Sequence, residues 1–257
     1  MDILKAELEE AFSTQVFDLT RLSTETVEEC RCLIRSLIGI NHGCVVLSDL
    51  AAKKSYFSIG SFGEFLGLDP EDMSQEVIAS LDEDCIYHRM HPEDLVDKRM
   101  LELKFFCFLR KQPNEKRLMY HSTCRIRIAN QKGEYKYITN QTQILRNSPC
   151  GNMWLALCQY DLSPDQSQQL GISCRITNMQ TGEISPISLV KERASILSVR
   201  EKEILLLIKE GFISKEISNK LSISIHTVNR HRQNILQKLS VDNSLEAVRT
   251  ADLMKIL

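Results

Sequence analysis

The chain is 257 residues long, with 43% hydrophobic and 26% charged residues and a formal net charge of −2. That length fits one large or two modest domains, and that apolar content excludes a wholly disordered chain. Its longest apolar patches, such as Phe105–Leu109, fall far short of the roughly 20 residues a membrane-spanning helix needs, so no membrane partner is expected.

The opening MDILKAELEE is acidic and amphipathic, without the basic start and apolar core of a signal peptide, and reads as the beginning of a cytoplasmic protein. Nine cysteines, with no CxxC pair and a lone CxC at Cys30 and Cys32, read as reduced and mostly buried thiols. Residues 1–42 read as helical: Leu4, Leu8 and Phe12 recur at helical spacing, as do Val27, Cys30, Ile34 and Leu37, with Ser23 or Thr24 as a cap. Such helices dimerise, couple a signal or merely cover the next domain.

From Gly43 the pattern becomes mixed. Gly43–Leu47 is a short apolar strand with Ser55–Ser58 as its hairpin partner, and Ser61–Leu68 and Asp69–Asp72 are short capped turns. His91-Pro-Glu-Asp opens a helix, because proline's missing N–H is tolerated at a first turn. Cys124, Ile126 and Ile128 alternate with Arg125 and Arg127, Asn130–Gly133 turns, and Tyr135–Ile144 and Met153–Tyr160 complete a meander. The order predicts an antiparallel sheet with helices on one face. The polar Asp161–Gln169 marks an edge, and Ile172, Cys174, Ile176 and Gly182 suggest a small hairpin in a linker.

The charge is uneven. From Lys191 onward there are 12 basic and 8 acidic residues, a balance of +4, whereas the remainder carries −6. A basic end behind an acidic body is what a chain shows when one domain meets phosphate. Four helices are predicted there. Ser198-Val-Arg-Glu201 is a capping box opening the first, which stops at Gly211. Ser214 caps the second, Ser222–Ser224 is a tight turn, Ser224 caps the third and Ser244 the fourth. Two helices joined by such a turn form a helix-turn-helix. The exposed face of the third offers Thr227, Asn229, Arg230, Gln233, Asn234 and Gln237, with no acid between Ile223 and Ser240. Amide side chains suit adenine, guanidinium suits guanine, and acids would be repelled by phosphate. The alternative for this face is plain solvation.

These residues carry a resemblance. The segment from Ser195 to Val241, with L-S-x-R-E-x-E, a glycine after the first helix, S-K-E-I, L-x-I-S, T-V, H-R-x-N-I and K-L, resembles the C-terminal DNA-binding domain of LuxR-type regulators. The resemblance implies a four-helix domain whose third helix enters the major groove of double-stranded DNA and whose fourth supports a homodimer. Carried over by position, it implies base contacts from Asn229, Arg230 and Gln233, and phosphate contacts from Ser224, Thr227, Arg232, Lys238 and Lys215. His231 matches the family histidine. Asn229 departs from the lysine or arginine common at that position, which leaves sequence preference open.

The middle segment resembles a PAS domain through FGEFLGLDPEDM, HPEDL, CRIRIANQKGEYKYI and LALCQYDLS. PAS domains sense a small molecule or dimerise. Cys85, His88 and His91 have metal-ligand character but no visible fourth ligand, and His91 belongs to a helix start, so no metal is assigned. Asp49 lacks the acidic pair and lysine of a receiver domain, and the N-C-R-F-L motif of light-sensing flavin PAS domains is absent. Phe57, Phe62, Phe65, Tyr135, Tyr137 and Trp154 line a pocket or pack a core. The chain is therefore expected to be α+β: an antiparallel PAS-like sheet domain (43–165) after a helical segment (1–42), a linker (166–196), and an all-α LuxR-type domain (197–257). The expectation is a transcription regulator, not an enzyme, with no catalytic residue and no cofactor, and with RNA polymerase as a further partner. The alternative is a PAS-like haem or flavin sensor or enzyme with secondary DNA binding.

Overall fold

The computed structural model describes residues 3–67, 74–78, 81, 83–169, 171–189, 195–254 and 256–257; the turn expected at Asp69–Asp72 lies outside them. The chain divides into one unit of Ala11–His91 with Leu103–Ile187, and another of Ser188–Leu257 with Met1–Glu10 and Pro92–Glu102.

In chain order the elements before the last domain are α1 (Ile3–Ser13), α2 (Thr24–Asn41), β1 (Cys44–Asp49), β2 (Lys54–Ile59), α3 (Phe62–Leu66), β3 (Ser74–Ile78), α4 (Asp84–Tyr87), α5 (Pro92–Arg110), α6 (Asn114–Arg117), β4 (Tyr120–Ala129), β5 (Tyr135–Asn147), β6 (Met153–Leu162), β7 (Arg175–Asn178) and β8 (Ile184–Pro186). The strands form one antiparallel sheet in the order β3-β2-β1-β6-β5-β4-β7-β8. The mixed α+β class read from the sequence is therefore correct.

Ser23 caps α2 by accepting from the Thr26 N–H, and His42 ends it in the left-handed region. The helix lays Val27, Cys30, Ile34 and Ile38 on Val45 and Leu47 of β1 and on Trp154, Leu155 and Leu157 of β6. Each fully buried aliphatic side chain of this kind stabilises the fold by about 1.5–3 kcal/mol. A second cluster joins Phe105, Phe106 and Leu109 of α5 to Ile144, Met153 and Ile176. Gly60 follows β2 because a Cβ there would meet the His42 backbone at 2.8 Å. The sequence expectation put the β7–β8 hairpin in a linker. Instead β7 pairs with β4, Thr123 opposite Arg175, and extends the sheet.

The last domain holds α7 (Val199–Lys209), α8 (Ser214–Leu221), α9 (Ile225–Leu239) and α10 (Ser244–Leu253). Ile204, Leu205, Ile217, Val228, Ile235, Leu239, Ala247 and Ala251 are among its buried apolar residues. The Ser198 capping box forms in both directions: the Ser198 hydroxyl accepts from Glu201 N–H, and Glu201 accepts from Ser198 N–H. Gly211 follows α7 with φ +90°. Ser222 takes the left-handed conformation, φ 51°, between α8 and α9. Two expected caps move by one residue. The N-cap of α8 is Ile213, whose N–H donates to Glu216, and the N-cap of α10 is Asn243, whose side chain accepts from Glu246 N–H. Among the described residues no helix is long and apolar enough to cross a membrane.

Candidate nucleic-acid interface

The orientation of α9 decides which of its side chains can reach a ligand. Val228, Ile235 and Leu239 recur at helical spacing and are buried, which turns the opposite flank outward. Ile225, His226, Asn229, Arg230 and Gln233 are exposed there. The side chains of Asn229, Arg230 and Gln233, and of Lys215 on α8, make no hydrogen bond or ion pair among the described residues. Donors and acceptors that are unpaired and solvated can be exchanged for contacts with a partner at little desolvation penalty.

The other expected contacts are held within the domain. Ser224 caps α9, accepting from Thr227 N–H at 3.0 Å, and its Oγ lies 2.8 Å from Thr227 Oγ1. Arg232 was expected at phosphate. Its guanidinium is spread instead between Ser214 Oγ and Ser244 Oγ, both 2.9 Å away, and so pins α9 to the starts of α8 and α10. Lys238 was also expected at phosphate. Its Nζ is 2.8 Å from Glu201 Oε2, with side-chain exposures of 23% and 4%. A buried carboxylate without a counter-charge is expensive, so the lysine is drawn inward. Burial opposes ionisation of Glu201, but hydrogen bonds from Lys238 and Ser198 overcome it and hold its carboxyl below the usual glutamate range. His231 is half-buried, and its Nδ1 has no partner among the described residues.

Two structural contacts were missed by sequence reasoning. Arg200 donates to the Leu221 carbonyl at 2.9 Å, tying α7 to the end of α8. Lys220 lies 4.3 Å from the centre of the Phe212 ring, a cation–π contact. The exposure of Ile225 and His226 in the first turn of α9 was also missed, although helical spacing from Arg230 and Gln233 signals it.

In the sheet unit, Asp49 is a turn-forming residue. Its Oδ1 accepts from Ala51 N–H, Ala52 N–H and the Trp154 indole at 2.9–3.1 Å, which leaves that carboxylate buried and committed. Phe57, Phe62 and Trp154 are core residues. Tyr135 and Tyr137 instead line an open polar depression with His91, Arg127, Gln166 and Gln169. His91 is tied there by its backbone, donating to Arg127 O at 2.9 Å, and its ring meets Tyr135 edge-on. Cys124 is a buried strand residue whose thiol approaches Asn140 Oδ1 at 3.8 Å.

Residues 195–251 match the family described as bacterial regulatory proteins, luxR family. The oxygen regulatory protein NreC of Staphylococcus epidermidis is 36% identical over 118 residues, 44% of this chain and 53% of that protein. The uncharacterized response regulatory protein YgeK of Escherichia coli is 49% identical over 55 residues, 21% of this chain and 37% of that one. The chain thus spans about half the length of NreC, and less of YgeK. A solved structure of the Vibrio cholerae VqmA dimer without target DNA aligns over 90% of this chain and 87% of that chain, at 16% identity and a TM-score of 0.30.

Proposed function

With residues 195–251 forming a luxR-family domain, we propose that this chain is a transcription regulator that binds double-stranded DNA as a homodimer. Helix α9 enters the major groove. Asn229, Arg230 and Gln233 read base edges: Arg230 pairs with guanine O6 and N7, and the two amides suit adenine N6 and N7. Lys215 and the Ser224–Thr227 cap face phosphate. Arg232 and Lys238 position the reading helix through Ser214, Ser244 and Glu201. Two copies on a two-fold site are needed because one such module makes few base contacts. The sheet unit is a PAS-like receiver of a signal, and RNA polymerase is the downstream partner. The chemistry is recognition, not catalysis, and its setting is the cytoplasm.

The observation that carries this reading is the flank of α9. It presents amides and a guanidinium without internal partners among the described residues, and the helix bears no carboxylate. A flank that was merely solvated would more often be laced with acid–base pairs four residues apart.

The test is selection of duplexes from a random-core pool by the full-length chain, followed by titration at several salt concentrations. Arg230→Ala relaxes base preference at one position. Lys215→Ala weakens binding on every duplex alike and lowers the salt slope by about 0.9. Failure to enrich any duplex, or identical losses on all sequences from both variants, overturns the reading.

A further inference from the structure

Ile225 and His226 form the first turn of α9, directly after the Ser224 cap. Ile225 is 45% exposed and His226 is also exposed. One exposed aliphatic is ordinary on a protein surface; its place on this helix is what carries information. Side chains three and four residues apart share a helix face. His226 therefore stands in line with Arg230 and Gln233, and Ile225 in line with Asn229. The exposed strip continues unbroken to the helix start. That first turn also contains no acid, whereas α7, α8 and α10 each place a glutamate in theirs. A carboxylate there would favour the helix dipole but repel a phosphate backbone.

We infer that Ile225 is a specificity-determining residue, packing on the C5-methyl of a thymine at the edge of each half-site. The inference rests on the DNA-binding reading above. In the major groove, the thymine methyl is the apolar feature a base pair offers, and the first residues of a recognition helix are the ones that reach base edges. An aliphatic side chain has no hydrogen-bonding use there, so a methyl is its complement. The reading strip thus begins a full turn before Asn229, and the half-site carries a thymine outside the positions read by Arg230 and Gln233.

The experiment uses the full-length chain and the duplex enriched from the random-core pool. Each thymine is replaced singly by deoxyuridine, which deletes the methyl and leaves the pairing edge intact. One thymine per half-site is expected to be sensitive, the uracil duplex binding about three- to tenfold more weakly. Ile225→Ala is expected to lose the same factor on the thymine duplex and nothing further on the uracil duplex. Ile225→Val, a milder surface change, falls between, and thermal melts confirm that both variants fold. If no thymine is sensitive, or if Ile225→Ala loses equally on both duplexes, this inference is overturned while the DNA-binding reading stands. If no duplex is enriched at all, both are overturned.

Discussion

Replacing Lys238 by methionine separates a positioning lysine from one that touches phosphate. The substitution keeps the length and apolar stem of the side chain and removes the ammonium 2.8 Å from Glu201 Oε2. Glu201, with 4% of its side chain exposed, then keeps its Ser198 partners, the Ser198 N–H at 2.8 Å among them, but loses its counter-charge. Solvent-exposed pairs contribute about 0–1 kcal/mol, whereas removing one partner of a fully buried pair costs about 3–5 kcal/mol. With 23% of the Lys238 side chain exposed, water relieves part of the loss, which places the expected destabilisation near 2 kcal/mol.

Because the chain holds two units, a single melting curve need not be two-state, and hydrogen exchange is the better assay. A loss of ~2 kcal/mol speeds exchange of the α7 and α9 amides about 30-fold and leaves β4–β6 unchanged. The salt slope of DNA binding, measured where the variant is folded, is expected to stay constant. The same carboxylate sets an acid limit. Its folded pKa lies below the ordinary value of 4.5, so the stability it confers is complete above pH 4.5 and is lost as pH falls through the folded value. Lys238→Met should weaken that dependence. Unchanged exchange together with a slope reduced by about 0.9 would refute the internal role and return Lys238 to the phosphate backbone.

Asp49→Ala removes the acceptor of two turn amides and of the Trp154 indole. Leaving the buried indole donor unpaired, while the two turn amides turn to water, is expected to destabilise the sheet unit by about 1–3 kcal/mol and to alter the emission of the chain's one tryptophan. An unchanged spectrum and melt would show that this carboxylate does not organise the β1–β2 turn. Burial, with the charge of Arg175 second, holds the His121 imidazole below its usual 6.5. The unfolded chain therefore takes up the proton first, and the sheet unit should lose stability as pH drops through 6.5 and level off below the folded value. His121→Gln is expected to remove that step, and melts at pH 7.5 and 5.5 check it.

What the sequence disclosed and what it hid follow one physical rule. Caps are local, so Ser23, Ser198 and Ser224 were readable from a few neighbouring residues. The two misplaced caps were equally local, but the rival residue was next door: Asn243 is as good an acceptor as Ser244, and Glu216 reaches the Ile213 amide. The strand β4 announced itself by alternation, β5 by its β-rich residues and β6 by a nearly continuous apolar run. The pairing of β7 with β4 did not, because alternation gives a strand its faces and says nothing of its neighbour. The fates of Arg232 and Lys238 were hidden for the same reason. Their spacing puts both at the margin of the buried stripe, where a long side chain can turn either way, and the deciding partners lie 18 residues upstream and 12 downstream of Arg232 and 37 upstream of Lys238.

Those two inward turns bear on how the domain would distinguish one DNA from another. From Lys191 onward the balance is +4, yet Arg200, Lys209, Arg232 and Lys238 are committed to Glu203, Asp252, two serines and Glu201. If the domain binds DNA as proposed, these four are not the groups that meet phosphate, which leaves that role to cations such as Lys215. On that reading, discrimination between sequences falls to base edges and to a second copy. The side chains on the outward flank of α9, from Ile225 through Gln233, are suited to base edges, and the inward-turned cations keep that flank in place.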